Sequence, residues 1–219
     1  MSLKLYAHPF SSYCQKVLIA LYENGTPFEL RMLAPDHPDT LVELEALWPL
    51  KRFPVLVDGG RTVLEASIII EHLQLRHPGP VRLIPDEPCA ALEVRMLDRI
   101  FDNYVANVQA GIVRNALRPT EARDASGVAQ SRHTLETIYR WLDRHMLARE
   151  WAAGDRFSLA DCAAAPALFY GNWSHKIDAA FTNLTAYRRR LLARPSFARA
   201  VAEARPYRSL FPLGAPDRD

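Results

Sequence analysis

Hydrophobic and polar positions alternate from the first residues, Leu3, Leu5 and Ala7 against Lys4, Tyr6 and His8, which is the period-two pattern of a short strand. Pro9 has no N–H to donate and ends it. The spacing then turns helical through Val17, Leu18, Leu21 and Tyr22, with Ser11 and Ser12 as N-cap candidates and Asn24-Gly25 as the stop. Alternation returns over residues 26–33, so the opening segment reads as a βαβ unit, whose crossover is right-handed. A polar loop over residues 36–40 and a short helix over 41–47 come next, the helix closed by Trp48-Pro49. Two apolar segments about Gly59-Gly60, within residues 51–65, predict a β-hairpin. Pro54 would cost the ladder a donor, so it belongs at an edge or in a special turn, a cis bond among the options; a cis bond would leave the Val55 backbone free to pair with an extended ligand. Residues 66–73 read as a helix with Ile69, Ile70 and Leu73 on one face.

The His77-Pro78-Gly79-Pro80 cluster marks a boundary. It divides the chain into a mixed domain over 1–79, a linker over 80–88 and an all-helical domain over 89–219. Leu97, Ile100, Phe101, Tyr104, Val105, Val108, Ile112 and Val113 form one stripe, predicting a long helix loosened near Gly111. After a polar stretch over 119–127, a second long helix carries Leu135, Ile138, Leu142, Met146 and Leu147, as in a helix bundle. The clearest helix start is Phe157-Ser158-Leu159-Ala160-Asp161-Cys162: Ser158 and Asp161 make a capping box, with Phe157 placed to staple Cys162. It reads as a folding device. Pro166 is expected to kink the next helix, and Arg188, Arg189, Arg190 and Arg194 to form a solvated face.

Composition adds only limits. Among 219 residues, 27 Lys and Arg stand against 25 Asp and Glu, a formal net charge of +2, which gives no reason to expect nucleic acid or an anionic membrane as partner. No apolar run approaches the roughly 20 residues of a membrane span, and no charged-then-apolar leader opens the chain, so a cytoplasmic protein is expected. Cys14, Cys89 and Cys162 are too few and too scattered for a disulfide framework, which fits a reducing compartment.

The candidate chemistry lies where the first strand meets the first helix. Ser11 and Cys14 have the spacing of a Cys-x-x-Cys redox pair at a helix start, but with serine leading, no disulfide can form. What remains is a hydroxyl beside outward-pointing N–H groups, suited to a thiolate supplied by another molecule. The bland alternative is that Ser11 and Ser12 only cap the helix and that Cys14 is a small buried residue.

With these residues in view, the chain resembles the cytosolic glutathione transferases of serine type. The marks are that leading serine, Trp48-Pro49-Leu50-Lys51-Arg52-Phe53-Pro54, the Leu64-Glu65-Ala66-Ser67 turn, and the Phe157–Asp161 box. The resemblance spans essentially the whole chain and implies a thioredoxin-like α/β domain followed by a helical bundle. It implies Ser11 as catalytic residue. It also implies a glutathione site made of Ser11, Lys51, Arg52, Phe53, Pro54, Val55, Glu65, Ala66 and Ser67. Either Lys51 or Arg52 meets the glycine carboxylate, and Val55 pairs its backbone with the cysteinyl unit. Glu65 holds the γ-glutamyl ammonium, while the Ala66 N–H, with Ser67 as the source of a hydroxyl, holds the γ-glutamyl carboxylate. A homodimer and a detoxifying role are implied too, with glutathione as co-substrate and neither cofactor nor metal.

A free thiol with a pKa of about 8.5 is only a few per cent ionised at pH 7, and lowering it by two units takes roughly 2.7 kcal/mol. A hydrogen bond to a charged group gives about 1.5 to 3 kcal/mol and a helix N-terminus about 0.3 to 1. Ser11 and the helix start therefore suffice, and His8 and His72 are read as structural. Phe10, Tyr104, Val108 and Tyr170 are the candidates for the pocket of an apolar electrophile. The alternatives are a glutathione-dependent thiol-disulfide oxidoreductase using Cys14 and a non-catalytic binding or regulatory module.

Overall fold

The structure is a computed structural model, and it describes residues 3–219. Strand β1 (Leu3–Ala7), helix α1 (Ser12–Glu23) and strand β2 (Phe28–Met32) form the expected βαβ unit, with β1 and β2 parallel and Leu5 opposite Leu30. Helix α2 (Pro38–Leu47) begins inside the stretch expected to be loop, because Pro38 needs no N–H partner in the first helical turn. Strands β3 (Val55–Asp58) and β4 (Arg61–Val63) make the hairpin, and the sheet order is β2-β1-β3-β4. The Phe53–Pro54 peptide is cis. Helix α3 (Ala66–Arg76) completes a thioredoxin-like unit.

Gly79 lies in the stretch beyond α3 at a close approach. A Cβ there would collide with Asn24 Oδ1, the atom that accepts the Val81 N–H at 2.8 Å. Glycine thus lets the connection run against the end of α1.

The remainder is helical: α4 (Pro88–Ile100), α5 (Asn107–Ala116), α6 (Ala125–His145), α7 (Leu159–Ser174), α8 (Thr182–Ala193) and α9 (Pro195–Ala204). Helices α4 and α5 are one rod, but the interruption lies at a π-helical stretch, Phe101–Ala106, and not near Gly111. A π turn inserts a residue and rotates the downstream helix about its axis. Phe101, Val105 and Ile112 stay buried, whereas Tyr104 leaves the stripe and is 53% exposed. Helix α6 stops at His145, which leaves Met146 buried at the cap and Leu147 exposed.

The two halves share one continuous apolar core. Leu5, Val17, Leu18, Leu21 and Ile70 pack in the same cluster as Leu97, Phe101, Leu168 and Phe197. A smaller cluster, Tyr6, Leu33, Leu44 and Val55, lies apart from it and includes the buried Leu44 of α2. All of α7 is buried, Pro166 within it.

The arginines expected on a solvated face are mostly otherwise engaged. Arg194 grips Glu23 at the end of α1 with two bonds of 2.6 and 2.7 Å and lies 3.8 Å over the Phe157 ring. Arg190 donates to the carbonyls of Glu150 and Arg149, and Arg188 is half-buried over Phe169; only Arg189 is exposed. The reason is that this strip of α8 and its end faces other parts of the chain, which no local spacing reveals.

The capping box forms, and Asp161 does more than cap. It is fully buried; Oδ2 accepts from the Ser158 N–H (2.8 Å) and hydroxyl (2.9 Å), and Oδ1 from the Ala152 N–H (2.8 Å) and the Tyr187 hydroxyl (2.6 Å). Replacing Ser158 with alanine should cost about 1 to 2 kcal/mol. Asp161→Ala orphans the buried donors Tyr187 and Ala152 as well, so a loss of at least about 3 kcal/mol is expected. Urea denaturation measures both, and equal losses would reduce Asp161 to a local cap.

Candidate functional site

A cavity of about 420 Å³ opens where the sheet-bearing half meets the helical half. Trp48, Leu50, Arg52, Phe53, Pro54, Leu64, Glu65 and Ala66 line one side; Arg99, Asp102, Asn103, Asn107 and Arg114 line the other, with Tyr13 of α1 between. Glu65 sits at the N-cap of α3 with φ 67° and ψ 120°, a conformation costly for a residue with a side chain. That kink turns the start of α3, with its unpaired N–H groups and positive dipole end, toward the cavity beside the Glu65 carboxylate. One rim thus offers an anion site and an acceptor for an ammonium group side by side.

The rim is tied down by a buried ionic network. Lys16, only 1% exposed, places Nζ 2.5 Å from Asp98 Oδ1 and 2.7 Å from Asp102 Oδ2, and donates to Ser67 Oγ at 2.9 Å. The Ser67 hydroxyl donates to Asp98 Oδ2 at 2.8 Å. Arg99 closes the network from the solvent side, with Nη2 2.6 Å from both Asp98 Oδ2 and Asp102 Oδ2, and bonded to Ser67 Oγ. Two cations balance two carboxylates. Burial pushes the Asp102 carboxyl up from its ordinary range, opposed by the Lys16 ammonium.

At the start of α1, Ser11 is the N-cap residue, yet its side chain makes no capping bond. The Ser11 hydroxyl lies instead beside the Cys14 thiol, and Ser11 is half-buried. Burial pushes that thiol up to about 12, only partly offset by the Ser11 hydrogen bond. Cys14 is therefore protonated at neutral pH and out of reach of solvent. Tyr13 reaches the cavity where Ser11 does not line it. Its hydroxyl is 3.5 Å from the Asp102 carbonyl oxygen, and burial, reinforced by the Asp102 charge, raises its pKa to about 12, so it is a proton donor at neutral pH.

This frame meets known proteins at both ends. The glutathione S-transferase N-terminal domain matches residues 5–81 and the C-terminal domain residues 105–195. A glutathione S-transferase from Methylobacterium radiotolerans, solved in complex with glutathione sulfonate, is 33% identical with a TM-score of 0.79, over 92% of this chain and 95% of that one. The chain belongs to the glutathione S-transferase family. Glutathione S-transferase 3 of Zea mays is 28% identical over 91% of this chain and 93% of its own. The stringent starvation protein A homolog of Coxiella burnetii is 28% identical over 91% of both.

In this family member the residues expected around glutathione divide into two groups. Arg52, Phe53, Pro54, Glu65 and Ala66 converge on the cavity. Lys51 turns away to pair with Glu45 at 2.8 Å, so Arg52 is the cation of the pair that faces in. Val55 is fully buried, opposite Tyr6 in the sheet. Ser67 is committed elsewhere: its one donor and both acceptor positions serve Asp98, Lys16 and Arg99, leaving none for a ligand.

None of the four residues expected to wall an electrophile pocket lines this cavity. Tyr170 is core: its hydroxyl accepts from Gln15 Nε2, and its ring packs edge-on against Phe10 and Trp173. Phe10 and Val108 are half-buried against the same core. Tyr104, rotated by the π turn, lines a separate apolar groove of about 510 Å³ with Ile100, Ile138 and Trp141. The wall facing Arg52 and Glu65 is polar instead. Sequence reasoning missed Tyr13, Arg99, Asp102, Asn103, Asn107 and Arg114. The available signal was Lys16 inside an apolar helical run, with Asp98 and Asp102 one turn apart on an apolar stripe. His8 accepts the Phe10 N–H at 3.1 Å and packs on Tyr207, consistent with a structural role.

No helix among the described residues is long and apolar enough to cross a membrane. Removing one partner of a buried ion network leaves the others uncompensated, so Lys16→Met should lose about 3 to 5 kcal/mol in urea denaturation. A loss below about 1 kcal/mol would mean that Arg99 alone neutralises both aspartates.

Proposed function

We propose that this protein is a glutathione transferase in which a hydroxyl at the start of α1 stabilises the glutathione thiolate for attack on an electrophile. The observation that carries the reading is the cavity rim, where Arg52, the Glu65 carboxylate and the α3 N-terminus stand together. Glutathione is a peptide with two carboxylates, one ammonium and a central thiol, and these are the matching groups. Arg52 takes the glycine carboxylate, Glu65 the ammonium, and the Ala66 N–H the γ-glutamyl carboxylate.

Ser11 is the thiolate donor in this reading, supported by a hydroxyl not used for capping. A second reading assigns the donor role to Tyr13, because Tyr13 and not Ser11 lines the cavity. The electrophile faces Asn103, Asn107 and Arg114, which suit a polar or anionic group better than the wholly apolar one expected. Disulfide chemistry at Cys14 is disfavoured by its burial and raised pKa. A non-catalytic binding module is the remaining alternative, since one relative is named for starvation and not for transfer. We also take the working unit to be a homodimer. Exposed Ile68, Leu92 and Met96 on α3 and α4 offer apolar surface for it.

Arg52→Ala should weaken glutathione binding in calorimetry by about 10- to 100-fold, the worth of one charge-assisted hydrogen bond, while Lys51→Ala changes it little. Wild-type protein that binds no glutathione would overturn the whole reading. Ser11→Ala should raise the pKa of bound glutathione, followed by thiolate absorbance against pH, by about one to two units and lower turnover with little change in affinity. If Tyr13→Phe produces that shift and Ser11→Ala does not, the donor is Tyr13. A panel of anionic and neutral electrophiles tests the polar wall.

A further inference from the structure

The cavity, the Lys16 network and the capping box leave one cluster of metal-ligating side chains without a task. Asp58 ends β3 just before the Gly59-Gly60 turn, His72 lies on α3, and His77 is the C-cap residue of α3. Both imidazoles aim Nε2 at the same carboxylate oxygen, His72 at 2.9 Å and His77 at 2.7 Å from Asp58 Oδ2. The three ligand atoms lie within 4.8 Å of one another, and this is the one such group among the described residues. Side-chain exposures of 12% for His72, 17% for Asp58 and 32% for His77 make the cluster half-buried, with an open side.

Two imidazoles and a carboxylate are the donor set of zinc and its neighbours, whereas Mg²⁺ and Ca²⁺ take oxygen ligands. Ligands about 2.0 to 2.2 Å from a tetrahedral ion stand roughly 3.4 Å apart, so each imidazole needs to retreat by about half an ångström from Oδ2. His77, at the end of its helix and the most exposed of the three, has room for this. The negative end of the α3 dipole lies at the same place and favours a cation. The open side leaves a fourth position for water and a path of entry.

We propose that Asp58, His72 and His77 bind one divalent cation of the zinc class, which fastens the β3–β4 turn to the C-terminal end of α3. None of the three lines the glutathione cavity. The site is independent of the proposed transfer chemistry, and its role is to clamp the hairpin whose other end carries Pro54. A cation held by the folded chain alone stabilises it by mass action.

The test uses full-length, tag-free protein carrying Cys89→Ser, so that the exposed thiol does not compete, stripped of metal by a chelator and free of glutathione. Titration with ZnCl₂ should give about one ion per chain and raise the melting temperature by several degrees, while MgCl₂ does neither. Co²⁺ should give the intense visible absorption of a four-coordinate site. In His72→Gln/His77→Gln, whose amides still donate to Asp58 but are poor ligands, uptake and the melting shift should be lost; Asp58→Asn is the second variant should the first not fold. Cys89→Ser protein that takes up no zinc in the titration, or a ligand variant in the same background that takes up as much, overturns the proposal.

Discussion

Lys16 is the hinge of this architecture. Its ammonium is drawn out of water into the seam between the sheet-bearing and helical halves, where Asp98, Asp102 and Ser67 receive it. Desolvating such a group is expensive and is offset only by well-placed opposite charge, so α1, α3 and the π turn have little choice of relative position. Those three elements bring Tyr13, Glu65 with Ala66, and Asp102 with Asn103 to the cavity. Buried ion networks add little net stability compared with apolar packing; this one ties α1 and α3 of the sheet-bearing half to α4 and the π stretch of the helical half.

The same seam explains why the cavity is polar. A rod with unbroken α-helical phase would carry Tyr104 along the buried stripe with Val105. The π stretch breaks that phase, and Asn103 and Asn107 face the cavity while Tyr104 joins the groove beside α6. Of the aromatic residues expected to wall a substrate pocket, Phe10 and Tyr170 go to the core, packing edge-on or tilted against each other and against Trp173. Family membership fixes the frame, and relatives named as a transferase and as a starvation protein share it. The helical half contributes the polar wall of the cavity, Arg99, Asp102, Asn103, Asn107 and Arg114.

Another buried carboxylate plays a comparable part further along. Asp161 begins as the last member of a capping box, but Tyr187 and the Ala152 N–H converge on its other oxygen, joining α7 to α8 and to the turn that precedes it. Arg194 does similar work from the end of α8, pairing with Glu23 on α1. Polar residues that look like surface in the sequence thus hold the helical half to itself and to α1.

Local pattern determined a good deal by itself: the alternation of β1, the βαβ unit, the Gly59-Gly60 hairpin, the helical second half, and the Ser158–Asp161 box. Each of these depends on interactions within a few residues, where side-chain period and hydrogen-bonding chemistry decide the outcome. Arg52, Pro54 and Glu65, which line the cavity together, were visible as a group because they stand on short, recognisable segments. The partners of Lys16, the commitment of Ser67, the phase shift at the π stretch and the choice of Arg52 over Lys51 to face the cavity were decided only in three dimensions. They depend on which faces of distant helices meet and on which charges must be neutralised there. A sequence records the charges but not their neighbours.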